Sequence, residues 1–311
     1  MGKADCNLAV NGILLVNKPQ GLSSNAVLQK VRHIYHARKA GHTGSLDPLA
    51  TGMLPVCFGE ATKYCQYLLD ADKSYVATGL LGIRTSTGDA QGEIISQTDN
   101  FEVTRQQLDQ SIARFSGVIQ QVPPMFSALK HNGTPLYRLA RAGQTIERKA
   151  REVTVHQLEL LDFDGRQFTI KVSCSKGTYI RSLIEDIGEV LGCGANVTVL
   201  HRLYTAGFDA EPMYELDELR QLNQEQLQER LLPLERAVQY MPLLQLNEMQ
   251  ITQLRQGRII SDSLSPQESG LYRIHNDKGQ FVGLAEFDRQ GSLKVKRFLA
   301  EPEKKIEQII N

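Results

Sequence analysis

The sequence predicts an α+β protein, a mixed and mainly antiparallel sheet with flanking helices, followed by a small β-rich C-terminal module. Three observations predict this class. Strand-like and helix-like segments are interspersed without the strict alternation of a parallel α/β fold. Residues 152–175 carry a hairpin signal, two β-rich runs around Asp164 and Gly165. The final segment, after a boundary near Met241 and Pro242, has three short strand-like runs joined by NDKG and DRQG turns.

The first third of the chain predicts two strands and three helices. ILLV followed by NKPQG indicates a strand and a turn, after which Ser23 or Ser24 can cap a helix. EATKYCQYLLDADK has apolar residues at helical spacing, and KSYVATGLLGIRT is typical of a strand. TRQQ, beginning at Thr104, matches a capping box and predicts the third helix.

The next elements include an excursion from the sheet, residues 122–152. This basic excursion mixes prolines, glycines and bases around one short helix near Leu136 to Ala142. TYIRSLIEDIGEVLG then predicts an amphipathic helix and VTVLHRLYTAGF a strand, and the acidic segment that follows is a helix interrupted at Pro233. A further helix is expected from Met249 to Leu254. We divide the chain into a first domain, residues 1–245, and a C-terminal module, residues 246–311.

The composition excludes several classes of protein. The chain has 311 residues, of which 41 % are hydrophobic and 23 % charged, values that disfavour a disordered or fibrous chain. Its longest apolar runs are too short to span a bilayer, so we expect no membrane contact and a cytoplasmic location. Five cysteines without a C-x-x-C pair argue against disulfides and against a zinc site.

The charge is balanced overall but polarised along the chain. Thirty-five Lys and Arg residues match thirty-five Asp and Glu residues. Six bases stand against one acid between Lys130 and Arg151, whereas eight acids stand against three arginines between Asp209 and Arg236. This uneven distribution of charge suits a protein that binds a polyanion on one face. Charge runs on solvent-exposed helices explain it equally well.

The stretch GHTGSLDPLATGMLP places one carboxylate, Asp47, in a neutral and constrained segment. Asp followed by Pro is locally a good helix start, which is the ordinary interpretation. Phosphate-binding loops, dinucleotide fingerprints and the G-x-S-x-G elbow are all absent from the sequence. The histidines His33, His36 and His42 lie in a basic segment without acids, which favours surface or nucleic-acid contacts over a metal site.

Several motifs together resemble one family. AGHTGSLDPLATGMLPV resembles the signature of the TruB family, bacterial tRNA pseudouridine synthases that act on uridine 55 of the T loop. The resemblance extends, in the family's order, to ILLVNKPQGLSSN, GEATKYCQYLLDADKSY, CSKGTYIRSLIEDIGEVLGCGA and VTVLHRL. It covers most of residues 12–208, with one departure at Asn17, where many relatives have Asp. The last part of the chain matches a PUA-like RNA-binding module only weakly.

The resemblance implies roles for individual residues. Asp47 would be the catalytic nucleophile, attacking either carbon 6 of the uracil or the anomeric carbon of the ribose. Arg181 would hold Asp47 through a bidentate contact, and Tyr75 would stack on the target base. On spacing alone, Arg181 could instead form a surface salt bridge, and Tyr75 could be a core residue.

The resemblance also implies substrate contacts. Lys18 would shape the first loop together with Pro19. The other residues expected at the RNA are His42, Tyr179, Leu200 and the excursion bases Lys130, Arg141, Arg148, Lys149 and Arg151. Tyr179 and Leu200 could equally be core residues.

The implied activity is isomerisation of uridine 55 in the T stem-loop of tRNA by a pseudouridine synthase fold, with the base flipped out. No cofactor and no metal are expected, because the reaction is redox neutral and uses no group donor. We expect a monomer. The alternatives are a non-catalytic RNA-binding or tRNA-folding protein, and an Asp-dependent hydrolase, which would need a second carboxylate. A chain ending near Leu244 is expected to fold and to convert a T-arm hairpin.

Overall fold

The computed structural model describes residues 8–261 and 268–300. The strands in these ranges are β1 (Gly12–Lys18), β2 (Ala40–His42), β3 (Thr51–Phe58), β4 (Lys73–Leu81), β5 (Ile83–Thr85), β6 (Ile94–Gln97), β7 (Gly117–Gln121), β8 (Lys130–His131), β9 (Thr134–Pro135), β10 (Arg151–Phe163), β11 (Gln167–Cys174), β12 (Ala195–Thr205), β13 (Leu243–Gln245), β14 (Gly270–His275), β15 (Phe281–Phe287) and β16 (Leu293–Phe298). The α-helices are α1 (Ser24–Ile34), α2 (Cys65–Leu69), α3 (Arg105–Ala113), α4 (Leu136–Arg141), α5 (Ile180–Val190), α6 (Leu216–Gln221), α7 (Gln224–Glu229) and α8 (Glu248–Arg255). Short 3-10 helices cover Gly59–Tyr64 and Leu234–Val238.

The first domain is organised by a sheet of eight strands in the order β1-β3-β12-β4-β11-β10-β7, with β2 paired to β3. The pairs are antiparallel except for β12 and β3, where His201 lies opposite Thr51 and Arg202 opposite Gly52. The predicted mixed, mainly antiparallel sheet is therefore confirmed. The parallel β12–β3 pair brings β12 beside the segment that leads out of the Asp47 loop.

Helices cover the sheet because each presents one apolar face. In α5 the buried residues Leu183, Ile184 and Ile187 pack in one core cluster with Phe168 of β11 and Val197 of β12. A second cluster joins α1, α6 and α7 to one face of β1 and β3, and the Gly59–Tyr64 helix packs on the opposite face. None of the helices within the described ranges is long and apolar enough to cross a membrane.

Local signals predicted most of these elements correctly. Ser23 caps α1 by accepting a hydrogen bond from the Ala26 N–H, and Thr104 and Gln107 form the predicted capping box of α3. The hairpin β10–β11, the short helix α4 and the amphipathic helix α5 are also confirmed. The acidic segment forms two short helices and a 3-10 helix instead of one interrupted helix.

The strands of the C-terminal module form a four-stranded sheet together with β13, in the order β13-β14-β15-β16. The sequence predicted three of these strands. The fourth, β13, lies before the predicted boundary at residue 245 and pairs in parallel with β14. Its three residues carry little periodicity, so their pairing depends on β14, which comes much later in the chain.

The module packs against the first domain through Tyr64. The ring of Tyr64 is fully buried and contacts the Phe281 ring at a centroid distance of 5.7 Å. Its hydroxyl donates to the Arg297 carbonyl at 3.2 Å, and the Ala300 N–H donates to Glu60 Oε2 at 2.7 Å. Leu284 shares a core cluster with residues of β1 and β3. The module therefore completes a core of the first domain.

This packing changes the expected effect of truncation. A chain ending after Tyr240 should melt at least ~5 °C lower than the full chain, because burying a large side chain contributes about 1.5–3 kcal/mol. Thermal unfolding followed by circular dichroism measures the difference. The matched control is Met249→Ala, since this side chain is 68 % exposed and should leave the melting temperature unchanged. An unchanged melting temperature after truncation would restore the expectation of independent domains.

Candidate active site

Asp47 lies in a loop between β2 and β3, and no helix begins there. Ser24 holds Leu46, the residue before Asp47, in place. The Ser24 hydroxyl accepts a hydrogen bond from the Leu46 N–H at 2.7 Å and donates one to the Leu46 carbonyl at 3.0 Å. On the other side, the Gly21 N–H donates to the Pro48 carbonyl at 2.8 Å. The helix-start interpretation of Asp-Pro is therefore wrong, since tertiary partners satisfy the groups that a helix would have used.

Lys18 braces the same loop from beneath. Its side chain is fully buried, and its ammonium group donates to the carbonyls of Ala50 at 2.6 Å, Pro19 at 3.0 Å and Pro48 at 3.4 Å. Burial lowers the pKa of Lys18 to about 8, and the Asp47 carboxylate opposes this shift. Lys18 does not line the cavity. Its full burial gives no support to the expected substrate contact, which stays a prediction, whereas its three hydrogen bonds agree with the expected role in shaping the loop.

Two glycines let the loop approach β12. Gly52 has φ +97°, and a Cβ there would lie 2.2 Å from the Arg202 carbonyl oxygen, so the parallel β3–β12 pair requires glycine. Gly44 has φ +78°, and its carbonyl accepts a hydrogen bond from Arg202 Nη2 at 3.2 Å. The loop therefore rests directly on Arg202.

Arg181 projects from the first turn of α5 toward Asp47. Its Nε lies 2.8 Å from Asp47 Oδ2, and the Arg181 side chain is only 4 % exposed, compared with 38 % for Asp47. The two terminal nitrogens donate to main-chain carbonyls, Nη1 to Thr87 at 2.5 Å and Nη2 to Phe126 at 2.7 Å. The predicted pairing is thus present, but the bidentate contact is not, because the terminal nitrogens are occupied elsewhere. The guanidinium is fixed by three separate groups.

Asp89 also lies beside this pair, and sequence reasoning did not identify it. It is 4 % exposed, and its Oδ2 is 4.0 Å from Arg181 Nη1. Its Oδ1 accepts from the Thr87 hydroxyl at 2.7 Å and from the Gln91 N–H at 3.1 Å. In the sequence Asp89 is one acid in the turn-like run STGDA, a context that predicts only a turn.

The Asp47 carboxyl has opposed electrostatic influences. It faces a recessed cavity, and burial raises its pKa above the ordinary value, an effect that Asp89 increases. Arg181, by its charge and its hydrogen bond, lowers the pKa, and Lys18 acts in the same direction. The ion pair with Arg181 is therefore what favours the ionised carboxylate in an environment that disfavours charge.

Tyr75 lies on β4 opposite Arg202 of β12. Burial raises the pKa of the Tyr75 hydroxyl, and the charge of Arg202 opposes this shift. Arg202 is 1 % exposed and donates from Nε to the Met53 carbonyl at 2.6 Å. In the sequence, Arg202 lies inside the apolar strand-like run VTVLHRLYTAGF. This position was the signal from which a buried cation could have been predicted.

One cavity of about 940 Å³ collects most of the predicted site. The predicted site residues that line it are Asp47, Arg181, Tyr75, His42, Tyr179, Leu200 and Arg141. Leu200 is buried, and Tyr179 is partly buried at the start of α5. Burial, followed by the charge of Arg202, lowers the pKa of His42, which favours the neutral imidazole. The cavity thus combines one accessible carboxylate with apolar and aromatic walls.

The other excursion bases are not in the cavity. Lys130, Lys149 and Arg151 are exposed on the surface, and none of them lines the cavity. Arg148 donates from Nη1 to the Pro123 carbonyl and from Nε to the Ile146 carbonyl, both at 3.2 Å. Arg148 therefore holds the base of the excursion together through these two nitrogens, and its RNA contact stays a prediction.

Family models match this chain in three consecutive segments. TruB family pseudouridylate synthase (N terminal domain) matches residues 32–180, tRNA pseudouridylate synthase B C-terminal domain matches 181–239, and Pseudouridine synthase II TruB, C-terminal, matches 242–299. A tRNA pseudouridine synthase B from Legionella pneumophila is 52 % identical over 300 residues, 96 % of this chain and 99 % of the relative. The chain belongs to the TruB family. The protein of that name from Pasteurella multocida is 46 % identical and covers 94 % of this chain and 96 % of its own length.

Solved structures agree on the fold. A chain from a Cbf5-Nop10-Gar1 complex superposes with a TM-score of 0.72 at 25 % identity, covering 95 % of this chain and 87 % of the other. A chain from an H/ACA RNP bound to a substrate RNA containing 2'-deoxyuridine gives a TM-score of 0.71 at 24 % identity, covering 93 % and 85 %. The predicted pseudouridine synthase fold with a β-rich C-terminal domain is therefore confirmed for this TruB family protein.

The one departure from the family pattern, Asn17, has a structural explanation. Its side-chain amide donates to Glu215 Oε1 at 2.7 Å. An aspartate at this position would face the Glu215 carboxylate and repel it. The position does not line the cavity, so this departure leaves the candidate active site unchanged.

Proposed function

We propose that this protein isomerises uridine to pseudouridine in tRNA, at position 55 of the T loop, with Asp47 as the nucleophile. The observation that carries the proposal is the Asp47–Arg181 pair, an accessible carboxylate held at 2.8 Å by a buried guanidinium inside the cavity. The relatives at 46–52 % identity bear the name tRNA pseudouridine synthase B, which supports tRNA as the substrate.

The chemistry requires an anchored carboxylate. The bond between the ribose anomeric carbon and N1 breaks, the uracil turns, and the anomeric carbon bonds to carbon 5. Carbon 5 then loses its proton, and N1 gains one. Asp47 can assist by attacking carbon 6 or the anomeric carbon, and either route benefits from a loop that holds the carboxylate still. Atoms and electrons balance without any donor, so the proposed reaction uses no cofactor.

The cavity suits a nucleotide taken out of its stack. Flipping the uridine costs a few kcal/mol, which contacts within a pocket can offset. Tyr75 and Tyr179 offer aromatic surfaces, and Leu200 an apolar one, in the wall around Asp47. His42, beside the same loop, would contact the RNA where the base leaves the stack.

Hydrolysis is less well supported. Asp89 does supply another carboxylate, but it is 4 % exposed and its oxygens are occupied by Thr87, Gln91 and Arg181. A general acid must reach the leaving group, directly or through one water. Asp89 is therefore better suited to holding Arg181 than to donating a proton to substrate.

The function is tested by tritium release from a tRNA transcript labelled at carbon 5 of uridine, followed by mapping of the modified position. We expect release equivalent to one uridine per tRNA and modification at position 55. Modification at another position would leave the chemistry in place and contradict the T-loop assignment. Absence of release would contradict the enzymatic proposal.

The excursion bases give a separate prediction about binding. Replacing Arg141, Lys149 and Arg151 by alanine should weaken tRNA binding and make it less dependent on salt. The slope of the logarithm of the binding constant against the logarithm of salt concentration should become shallower by about 0.7–0.9 for each phosphate that is no longer neutralised. The single-turnover rate at saturating tRNA should change much less, because the Asp47–Arg181 pair stays intact. Arg148 is kept, since its loss would disturb the excursion itself. Filter binding at several salt concentrations measures the slope.

A matched control separates specific contacts from net charge. Arg105, Arg114 and Lys171 are exposed bases that do not line the cavity. Their replacement by alanine removes the same charge and should leave the salt slope unchanged. Equal effects of the two triple variants would contradict a dedicated RNA contact by the excursion.

We also propose that the protein acts on tRNA as a monomer, in the cytoplasm. Light scattering coupled to size-exclusion chromatography, with and without tRNA, tests the assembly state.

A further inference from the structure

Gln121, the last residue of β7, makes an unusual pair of contacts with the start of α5. Its side chain is 2 % exposed. Its Oε1 accepts from the Tyr179 N–H at 2.7 Å, and its Nε2 donates to the Tyr179 carbonyl at 3.0 Å. The amide therefore pairs with both main-chain groups of Tyr179, much as a neighbouring strand would.

Tyr179 is the N-cap residue of α5 and lacks a side chain suited to capping. Helix starts usually carry Ser, Thr, Asp or Asn, whose oxygen satisfies a free N–H of the first turn. No side-chain capping bond is formed at Tyr179. Its carbonyl also accepts the first hydrogen bond of the helix, from the Leu183 N–H at 3.1 Å. Gln121 thus holds both main-chain groups of the residue at which α5 begins.

Arg181 lies two residues after Tyr179, so the direction of its side chain depends on this helix start. Its Nη2 donates to the Phe126 carbonyl, five residues after Gln121. The helix start and one of the carbonyls that fix Arg181 are therefore both connected to the end of β7. A misplacement of about 1 Å of a catalytic group can cost on the order of 10²-fold in rate.

We propose that Gln121 is a positioning residue for the isomerisation: its amide fixes the first turn of α5 and thereby directs Arg181 onto Asp47. This role rests on the function proposed above. Gln121 itself does not line the cavity and touches no reacting atom.

The substitution Gln121→Met tests the proposal, since it keeps the length of the side chain and removes both hydrogen bonds. The matched control is Ser111→Ala, which removes a buried hydroxyl that donates to the Ile187 carbonyl, farther along α5. Single-turnover rate at saturating tRNA transcript, tRNA affinity, melting temperature and the pH profile are measured for both variants. If Gln121→Met does not fold, Gln121→Asn serves instead, because its shorter amide cannot reach both groups.

For Gln121→Met we expect a loss of at least about tenfold in the single-turnover rate, with tRNA affinity changed less than about threefold. The acid limb of the pH profile should move to higher pH, because a displaced Arg181 no longer lowers the Asp47 pKa. The other ionisable groups around this carboxyl are Asp89, Lys18, Tyr75, Tyr179 and Arg202, and of these only Tyr179 lies on the segment that the substitution releases. Ser111→Ala should leave both the rate and the acid limb at their wild-type values.

Two outcomes would overturn the proposal. One is a Gln121 variant with wild-type rate and acid limb. The other is an equal rate loss in Ser111→Ala, which would indicate a general effect of stability. Carbon-13 spectra of aspartate-labelled protein without RNA report the Asp47 pKa directly. If the wild-type protein releases no tritium, the proposed function fails, and these spectra still decide whether Gln121 directs Arg181.

Discussion

We expect Asp47→Asn to abolish isomerisation and to leave tRNA affinity nearly unchanged. The amide keeps the shape of the side chain but is a poor nucleophile, so the rate should fall by on the order of 10⁴-fold or more. Binding depends on the surrounding walls and on the excursion bases, which the substitution leaves in place. Single-turnover tritium release and filter binding measure the two quantities.

The control for this experiment is Asp217→Asn, an 86 % exposed carboxylate on α6. It experiences the same change of charge and should keep the wild-type rate. Mass spectrometry must exclude deamidation of the introduced asparagine back to aspartate, which would restore activity. Substantial turnover by intact Asp47→Asn protein would remove Asp47 from the role of nucleophile.

Sequence reasoning succeeded where the determining contacts are local. Thr104 and Gln107 are three residues apart, and their capping box was predicted because both partners are in one turn of chain. The β10–β11 hairpin likewise follows from the turn residues Asp164 and Gly165. In these cases local propensity and the final fold agree.

It failed where distant segments supply the partners. Asp47 and Pro48 have a good local signal for a helix start, but Ser24 and Lys18 hold the loop in another conformation. Lys18, which the resemblance grouped with the substrate contacts, is fully buried. Whether a lysine meets phosphate or main-chain carbonyls depends on which strands surround it, and spacing along the chain does not contain that information.

The site was predictable only in part for the same reason. The resemblance brought Asp47 and Arg181 together, and the structure places them in contact. The groups that fix Arg181 come from Thr87 and Phe126, 94 and 55 residues away along the chain. These are main-chain carbonyls, which carry no signature in the sequence.

Arg181→Lys is expected to lower the isomerisation rate by about 10²-fold or more at saturating tRNA. The guanidinium serves Asp47, the Thr87 carbonyl and the Phe126 carbonyl at once, from a side chain that is 4 % exposed. A lysine has one compact ammonium group and cannot reach three groups arranged around a plane. The buried carbonyls would then lack donors, and the carboxylate would lose its fixed partner. Single-turnover rates measured across a range of pH test this expectation.

Arg181→Lys should also change the pH profile of the isomerisation rate. Burial raises the pKa of Asp47 and Arg181 lowers it, so a weaker partner leaves the pKa higher than in the wild type. The ionised nucleophile is then lost at a higher pH as the solution is acidified, and the acid limb should move upward. Arg166→Lys is the matched control, because Arg166 donates to the Asp99 carbonyl away from the cavity. A rate loss under about tenfold, or ~1.4 kcal/mol, together with an unmoved acid limb, would mean that Arg181 does not maintain the Asp47 carboxylate.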